Sequence, residues 1–550
     1  MNLTVSKAGN GDFKTINEAL VAAVPGARIQ IKAGVYEEPL IITKPVSLIG
    51  DKESLVVIHH PDFTAMKIEN TQVILQDLAI GTSLSRGCMD AAGSSIEMRN
   101  CAVAPTDVLS NQPEMSLNAF IAKGKECAAS DPLSKNDLVK DVTFDPHNAF
   151  GVLVLTGKSS VSFSNGFLHS ASVNTVDDSE FIANGCGFYS SPLSIRGNRG
   201  AVLDHCAFCC DPRSHFPLSW LVRVQDSSAT IRSSSFFGGT KEGILCEGSA
   251  VTIDDCTILG FWKPHSENKS TGVAAVGELN LAITNSKIGR FTMGINPYAS
   301  VSGDLKVMAC TISDNSEGFD GSSYESQKRF LVTFHKCTIS NNGCGCHFWG
   351  KGRHSHFAMK GCKILGNKGV GTGGGGVRVS GWKGDIYECE FSDNTPRHLC
   401  GVGPIFRRKH VRDCSFSAEK SFWQRVKEDF NRSMEESKGG SLIQENLFPK
   451  EFTKLEQDIF TMVKSPGDTY DEIRKRFLES VNAIDPNNAE IPRCIKNAVA
   501  KKMMYEYHRK YGTLIYGYQA RDTLSCADVL RRLAAEERAS FLEFSKAHTL

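Results

Sequence analysis

The chain has 550 residues, 41% apolar and 22% charged, which is the balance of a soluble protein at a length beyond what one compact core serves. A formal net charge of +1 excludes a general electrostatic pull toward nucleic acid or anionic membrane, and no run approaches the ~18 apolar residues of a membrane-spanning helix. Nineteen cysteines, with no apolar leader at the start of the chain, point to a reducing compartment: the cytoplasm, or a host cytosol if the protein is a leaderless secreted effector.

In chain order, residues 1–26 open with a short strand and a helix. Thr15-Ile16-Asn17-Glu18 has the form of a capping box, Ala19, Leu20 and Ala23 share a face with Ile16, and Pro25-Gly26 ends the helix. Such a helix can close the open apolar end of a solenoid. Apolar residues then alternate through Ile29, Ile31, Val35, Ile41, Val46, Leu48 and Ile49, which reads as the first rungs of a strand repeat.

A polar, irregular stretch at 105–148 interrupts the repeat and is expected to leave as a loop over one face, and a smaller one does so at 262–271. From Leu305 to Phe416 the same phrase recurs five times: KVMACTISDN, TFHKCTISNN, AMKGCKILGN, IYECEFSDN and HVRDCSFSAE. Its cysteines, Cys310, Cys337, Cys362, Cys389 and Cys414, follow one another at a nearly constant interval, the mark of a solenoid. Two or three alternating strands per period, with no helix-length segment between, describe one rung of a right-handed parallel β-helix. Backward along the chain the cysteine slot passes through Ser286, Cys256, Ser234, Cys206, Ser179, Cys101 and Leu78, so it wants a small or apolar interior side chain. The cysteines read as packing residues and free thiols, because stacked Cβ vectors run parallel rather than toward each other.

After Phe416 the period changes from 2 to 3.6. Phe422, Val426 and Phe430, and later Ile473, Phe477 and Val481, are spaced by four, and breaks at Gly439-Gly440, Pro466-Gly467, Asp485-Pro486 and Gly512 separate about five helices. The expected fold is therefore an all-β right-handed parallel β-helix over 27–417 followed by an all-α domain over 418–550.

The segments VSKAGNGDFKTINEAL and IKAGVYEEPLIITKPVSLIGD resemble the N-terminal part of pectin methylesterases, and the β-helix repeats of F-box proteins, within the pectin-lyase-like superfamily. The resemblance covers roughly residues 5–416 and implies the fold; it leaves activity open, since members with and without catalysis share the segment. The methylesterase motifs of GYQDTLY and DFIFG type are missing from the rungs, and a near-match at Gly517–Leu524 falls in the helical stretch.

Three groups of residues are candidates for chemistry. Asp145 and His147, in Phe144-Asp145-Pro146-His147, resemble the Asp-Pro-His motif of β-helix uronate epimerases, with Val142 where that family has Tyr; the bland alternative is an Asp-Pro turn. Asp177 and Asp178 resemble the paired carboxylates of polygalacturonases, although the downstream Gly-His-Gly and Arg-Ile-Lys elements are missing and a polar turn at the rung edge explains them equally simply. Arg196 and Arg199 would hold a substrate carboxylate on adjacent rungs. Cys344, Cys346, His347, His354 and His356 are metal-ligand types without a complete second pair at zinc spacing, so neither metal nor other cofactor is expected. Trp262, Trp349, Trp382 and Phe348 are either a sugar-stacking stripe or interior packing.

The reading that follows is a non-catalytic β-helix recognition scaffold for a protein or glycan partner, with a helical partner-docking domain. The alternative is a polysaccharide-active enzyme of lyase, hydrolase or uronate epimerase type. A cluster of carboxylates, a base and an arginine on one face would separate the two, and the rung register needed to find it is not fixed by the sequence.

Overall fold

A computed structural model describes residues 1–82, 87–110, 115–130, 151–197, 200–210, 219–238, 241–260, 270–298, 301–323, 328–350, 354–369, 375–395, 397–400 and 409–417. The alternating pattern forms three parallel sheets of 16, 15 and 14 strands, here called I, II and III in the order each rung visits them. Sheet I runs from Asn2–Val5 to Val411–Arg412, sheet II from Gly34–Glu37 to Ser415–Phe416, and sheet III from Leu40–Ile42 to Leu399–Cys400. Beyond the opening strand, each strand pairs with the strand three later in the chain, so a rung is three strands and three corners, and the described chain is a parallel β-helix. Successive inward residues stack into continuous columns; in sheet I one such column runs through Ile29, Leu48, Leu75 and Met98, all buried. Each fully buried side chain of this kind contributes about 1.5–3 kcal/mol.

The corner from sheet I to sheet II turns on one residue in the left-handed region: Asn100 (φ 50°), Asp255 (φ 51°), Lys336 (φ 53°) and Glu388 (φ 55°) are examples. A non-glycine residue pays about 1–2 kcal/mol there. The corner persists because its N–H still bonds the next rung, as Asn100 does to Ser164 O at 2.9 Å and Lys336 to Lys360 O at 2.9 Å. The next residue points inward and forms the cysteine column. Cys310, Cys337, Cys362 and Cys389 are buried there, and every cysteine of the described residues is a free thiol. Ser179, expected in this column, lies elsewhere. Gly166 and Cys186 occupy the slot on those rungs, where Cys186 and Cys206 stand closer together in sequence than Cys310 and Cys337 do, so a stride taken from the later rungs stepped past the right residue. Ser179 instead joins Ser94, Ser159, Ser227 and Ser249 in a buried column at the corner from sheet III to sheet I.

The corner from sheet II to sheet III carries the repeat's terminal asparagine. Asn315 N and Nδ2 both donate to Asn342 Oδ1 at 3.0 Å, and Asn342 repeats the pattern onto Asn367 Oδ1 at 3.0 and 2.9 Å. Next to this ladder stands a column of glycines, Gly243, Gly272, Gly294, Gly318 and Gly345. A Cβ on any of them would come within 2.5–2.7 Å of the carbonyl oxygen of the next glycine in line, the last being Gly376. Only glycine permits that approach.

At the N-terminus the capping box is present: Thr15 accepts from Glu18 N, and Glu18 accepts from Thr15 N. The helix α1 (Ile16–Ala22) buries Ile16, Ala19 and Leu20 against Leu3 and Val5 of the first rung. Two early positions reverse the expected facing: Val35 and Ile41 are exposed, while Tyr36, Leu40 and Ile42 fill the interior. The insertion begins as structure rather than loop. Helices α2 (Thr106–Ser110) and α3 (Leu117–Ala129) follow the sheet II strand Ala102–Pro105, and Leu117, Phe120, Ile121 and Ala128 pack on Ala102, Phe167, Tyr189 and Phe237 outside that sheet. The pattern was legible, with Ser116 as N-cap and apolar residues at 117, 120, 121 and 128.

The chain divides into two compact units: Met1–Asn367 with Gly376–Ser392 and Leu399–Phe416, and Lys368–Gly375 with Asp393–His398 and Ser417–Leu550. In the second, Lys368 pairs with Thr395, and His398 Nε2 lies 3.0 Å from Ser417 O. The all-α domain expected at 418–550 lies outside the described residues, within which α1, α2 and α3 are the three helices.

Candidate functional site on the outer face of sheet III

The glycine column shapes the face beside it. In strands Glu317–Ser323 and Cys344–Gly350 the ladder pairs Glu317 with Cys344, Phe319 with Cys346 and Asp320 with His347, omitting Gly318 and Gly345. Glu317 and Asp320, which flank Gly318 and the inward Phe319, both keep their side chains partly exposed on the outer face. His347 Nδ1 thereby lies 3.5 Å from Glu317 Oε2 and 3.8 Å from Asp320 Oδ1, with side chains 16%, 35% and 16% exposed respectively. Among the described residues this is the one group of three whose donor atoms all lie within 4.8 Å of each other. Arg378 follows His347 in register on the next strand, and Cys400 follows Arg378. Cys344 sits beside Glu317, and burial with the nearby carboxylates pushes its thiol well up.

Two atoms of the group are incomplete. Glu317 Oε2 and His347 Nε2 are buried without a hydrogen-bond partner, which costs about 1–3 kcal/mol each unless another group satisfies them.

The same face carries further polar and aromatic groups. Trp349, two residues beyond His347 on the same side of the strand, is 36% exposed. Earlier along the sheet, Tyr298, just past the strand Met293–Pro297, donates to Glu242 Oε1 at 2.9 Å; burial raises the Glu242 carboxyl and pushes the Tyr298 phenol up to about 12. Arg223 pairs with Glu247 and lies over the Trp220 ring at 5.0 Å. From Trp220–Gln225 to Val377–Ser380 the strip crosses seven strands, about 29 Å at the usual strand spacing.

The residues singled out from sequence fall differently. Asp145, His147 and Arg199 lie outside the described residues, as does Trp262. Asp177 (φ 58°) and Asp178 (φ 59°) are both exposed in the turn between sheets III and I; Asp177 O accepts from Lys158 N at 3.0 Å and Asp178 N donates to Gly197 O at 2.9 Å. Their place is the polar turn at the rung edge. Arg196 is exposed at the end of its sheet III strand. Cys346, Phe348 and Trp382 are interior, and His354 and His356 belong to a sheet I strand and its approach, leaving His347 as the member of that set on the site.

Glu317, Asp320 and Arg378 were missed, although a signal existed. Glu242-Gly-Ile-Leu, Thr271-Gly-Val-Ala, Met293-Gly-Ile-Asn, Glu317-Gly-Phe-Asp, Cys344-Gly-Cys-His and Gly375-Gly-Val-Arg repeat x-Gly-apolar-x once per rung. Aligned on the glycine, they stack Asp320, His347 and Arg378 directly.

A family model described as the right handed beta helix region matches residues 221–367, the rungs that bear most of this face. No curated protein sequence matches the chain. Similar solved structures include tailspike protein 3 of bacteriophage CBA120, 11% identical with a TM-score of 0.41 over 68% of this chain and 59% of that one. They also include the periplasmic alginate epimerase AlgG (10%, TM-score 0.31, 74% of this chain and 81% of that one) and the Family 28 exopolygalacturonase of Yersinia enterocolitica (9%, TM-score 0.27, 76% and 79%). The family model and the three parallel sheets agree on the fold, a right-handed parallel β-helix.

Proposed function

We propose that this protein is a recognition scaffold whose outer sheet III face binds an extended polar chain of glycan type. The observation that supports it is the strip itself: Trp349 offers an aromatic surface beside His347, with Asp320 and Arg378 on the flanking strands and the Trp220–Arg223 pair further along. Sugars pair with such faces through stacking of their C–H surfaces on aromatic rings and hydrogen bonds to charged groups. A rigid sheet presents these groups at fixed spacing, so little ordering cost falls on the protein. The segment 418–550, whose sequence pattern is that of helices, would dock a second, protein partner, in the cytoplasm or a host cytosol, a setting that suits the column of buried free thiols.

The second reading is an enzyme on a uronate polysaccharide: Glu317, Asp320 and His347 with Arg378 in register supply the carboxylates, base and arginine on one face that this reading requires, at positions other than those the epimerase and polygalacturonase resemblances pick out.

A glycan array probed with the full chain, Trp349→Ala and Arg378→Ala tests the first reading. Ligands retained by the parent and lost by both variants support it; equal binding by all three would overturn it. Turnover assays on pectate, alginate and their esters separate the readings. None is expected from the parent, whereas turnover lost in Asp320→Asn or His347→Ala, or in Asp145→Asn, would establish the enzyme. A cytosolic pull-down should recover a protein partner that is lost when 419–550 are deleted.

A further inference from the structure

We propose that Glu317, Asp320 and His347 form a binding site for one divalent cation of the zinc class, a site that does not depend on the glycan reading. His347 Nδ1 would bind with one oxygen from each carboxylate. Its distances to them, 3.5 and 3.8 Å, are too long for good hydrogen bonds. They are close to the roughly 3.4 Å that separates neighbouring ligands around a tetrahedral ion with bonds of about 2.1 Å. The three ligand atoms all lie within 4.8 Å of one another, so rotation of the side chains alone would bring them onto a common ion.

Two further observations point to a missing group. Glu317 Oε2, aimed at the imidazole, is buried without a hydrogen-bond partner; His347 Nε2 is also unpartnered but points away from the carboxylates and would stay outside the coordination sphere. A protonated His347 has one Nδ1 proton to offer two carboxylates, whereas a dication bonds to both at once. The ligands also stand on two adjacent strands held in register by the glycine and asparagine columns, so the geometry is preorganised rather than created by the ion.

The donor set selects the metal. One imidazole nitrogen with two carboxylate oxygens suits a borderline first-row ion such as Zn²⁺ or Co²⁺, whereas Ca²⁺ and Mg²⁺ favour six or more oxygens. Three protein ligands leave a coordination position open for water or a ligand oxygen. Arg378, in register with His347, places a positive charge on the neighbouring strand and so weakens the site.

The test uses the full chain in a non-thiol reductant, titrated with Co²⁺ and Zn²⁺ and, for comparison, Ca²⁺ and Mg²⁺. One Co²⁺ per chain is expected, with visible ligand-field bands and no thiolate charge-transfer band, and with preference over Ca²⁺ and Mg²⁺. Glu317→Gln and His347→Gln should each weaken Co²⁺ and Zn²⁺ at least about tenfold, with metal-free circular dichroism and thermal midpoints close to the parent's. Arg378→Gln should tighten binding several-fold, which a purely structural role for the three residues does not predict. A thiolate band would place the ion on cysteine and overturn the proposal. So would absence of binding below millimolar metal, or affinity unchanged in both Gln variants.

Discussion

Ser286 Oγ accepts a hydrogen bond from Cys256 N at 3.0 Å, one rung back, and donates to the Thr284 carbonyl at 2.7 Å. Ser234 does the same with Cys206 N and the Arg232 carbonyl, and Cys389 Sγ takes the same position toward Cys362 N at 3.4 Å. The slot therefore suits a small side chain that can both accept and donate, which Cys and Ser supply on most rungs, while Leu78 and Gly166 fill it on others without such a bond.

From this follows the behaviour of Cys337, whose Sγ donates to the Val307 carbonyl at 3.3 Å. Cys337→Ser should shift stability by no more than about 1 kcal/mol, while Cys337→Arg buries an unpaired charge and should cost on the order of 3 kcal/mol or more. Thermal midpoints of the two variants check this, and equal midpoints would remove the interior assignment.

Asn342 stands in the middle of the ladder. Replacing it with alanine takes the acceptor from Asn315 N and Nδ2 and the donor from the Ile312 carbonyl, which Asn342 Nδ2 meets at 3.0 Å. With buried groups left unpaired at about 1–3 kcal/mol each, Asn342→Ala should cost about 3 kcal/mol or more. Hydrogen exchange should accelerate at Asn315 and the corner around it before it does so at distant rungs.

Phe120 tests the insertion. Its ring meets Phe167 edge-on with centroids 5.8 Å apart, on the outside of sheet II. Phe120→Ala should cost about 3–5 kcal/mol of local stability and release the amides of Leu117–Ala129 to exchange. The sheet I interior should keep its protection, because α3 packs in a separate apolar cluster.

The pH dependence rests on Glu242, whose carboxyl is raised by burial. At pH below the unfolded value, about 4.3, both states are protonated and the shift contributes nothing. As the pH rises from there through the folded value, the unfolded chain loses its proton first, so this group lowers stability across that window and above it. Glu242→Gln removes the effect while keeping an acceptor for Tyr298. The midpoint of the variant relative to the parent should therefore be higher at about pH 7 than at about pH 3.5. A difference independent of pH would contradict the buried, raised carboxyl.

The phrase around Cys310, Cys337 and Cys362 contains its own architecture. Alternation specifies strands with one face inward, the inward slot specifies the corner, and a steady recurrence specifies stacking, so fold class and interior follow from local pattern alone. The capping box at Thr15 was legible for the same reason, since its two hydrogen bonds close within a single helical turn. Which outer residues meet is a different matter. Glu317 and His347 become neighbours only after the three strands and three corners between them have been summed, and one added residue would turn a side chain from the outer face to the interior. That sum differs from rung to rung, shorter from Cys186 to Cys206 than from Cys310 to Cys337, and the difference misplaced Ser179; the acid–histidine group shows only when the rungs are aligned on the glycines of sheet III rather than on the cysteine column. Sequence determined the coil and its contents; the stacking of unequal rungs, fixed by backbone hydrogen bonds between strands far apart in the chain, decided which charges face each other.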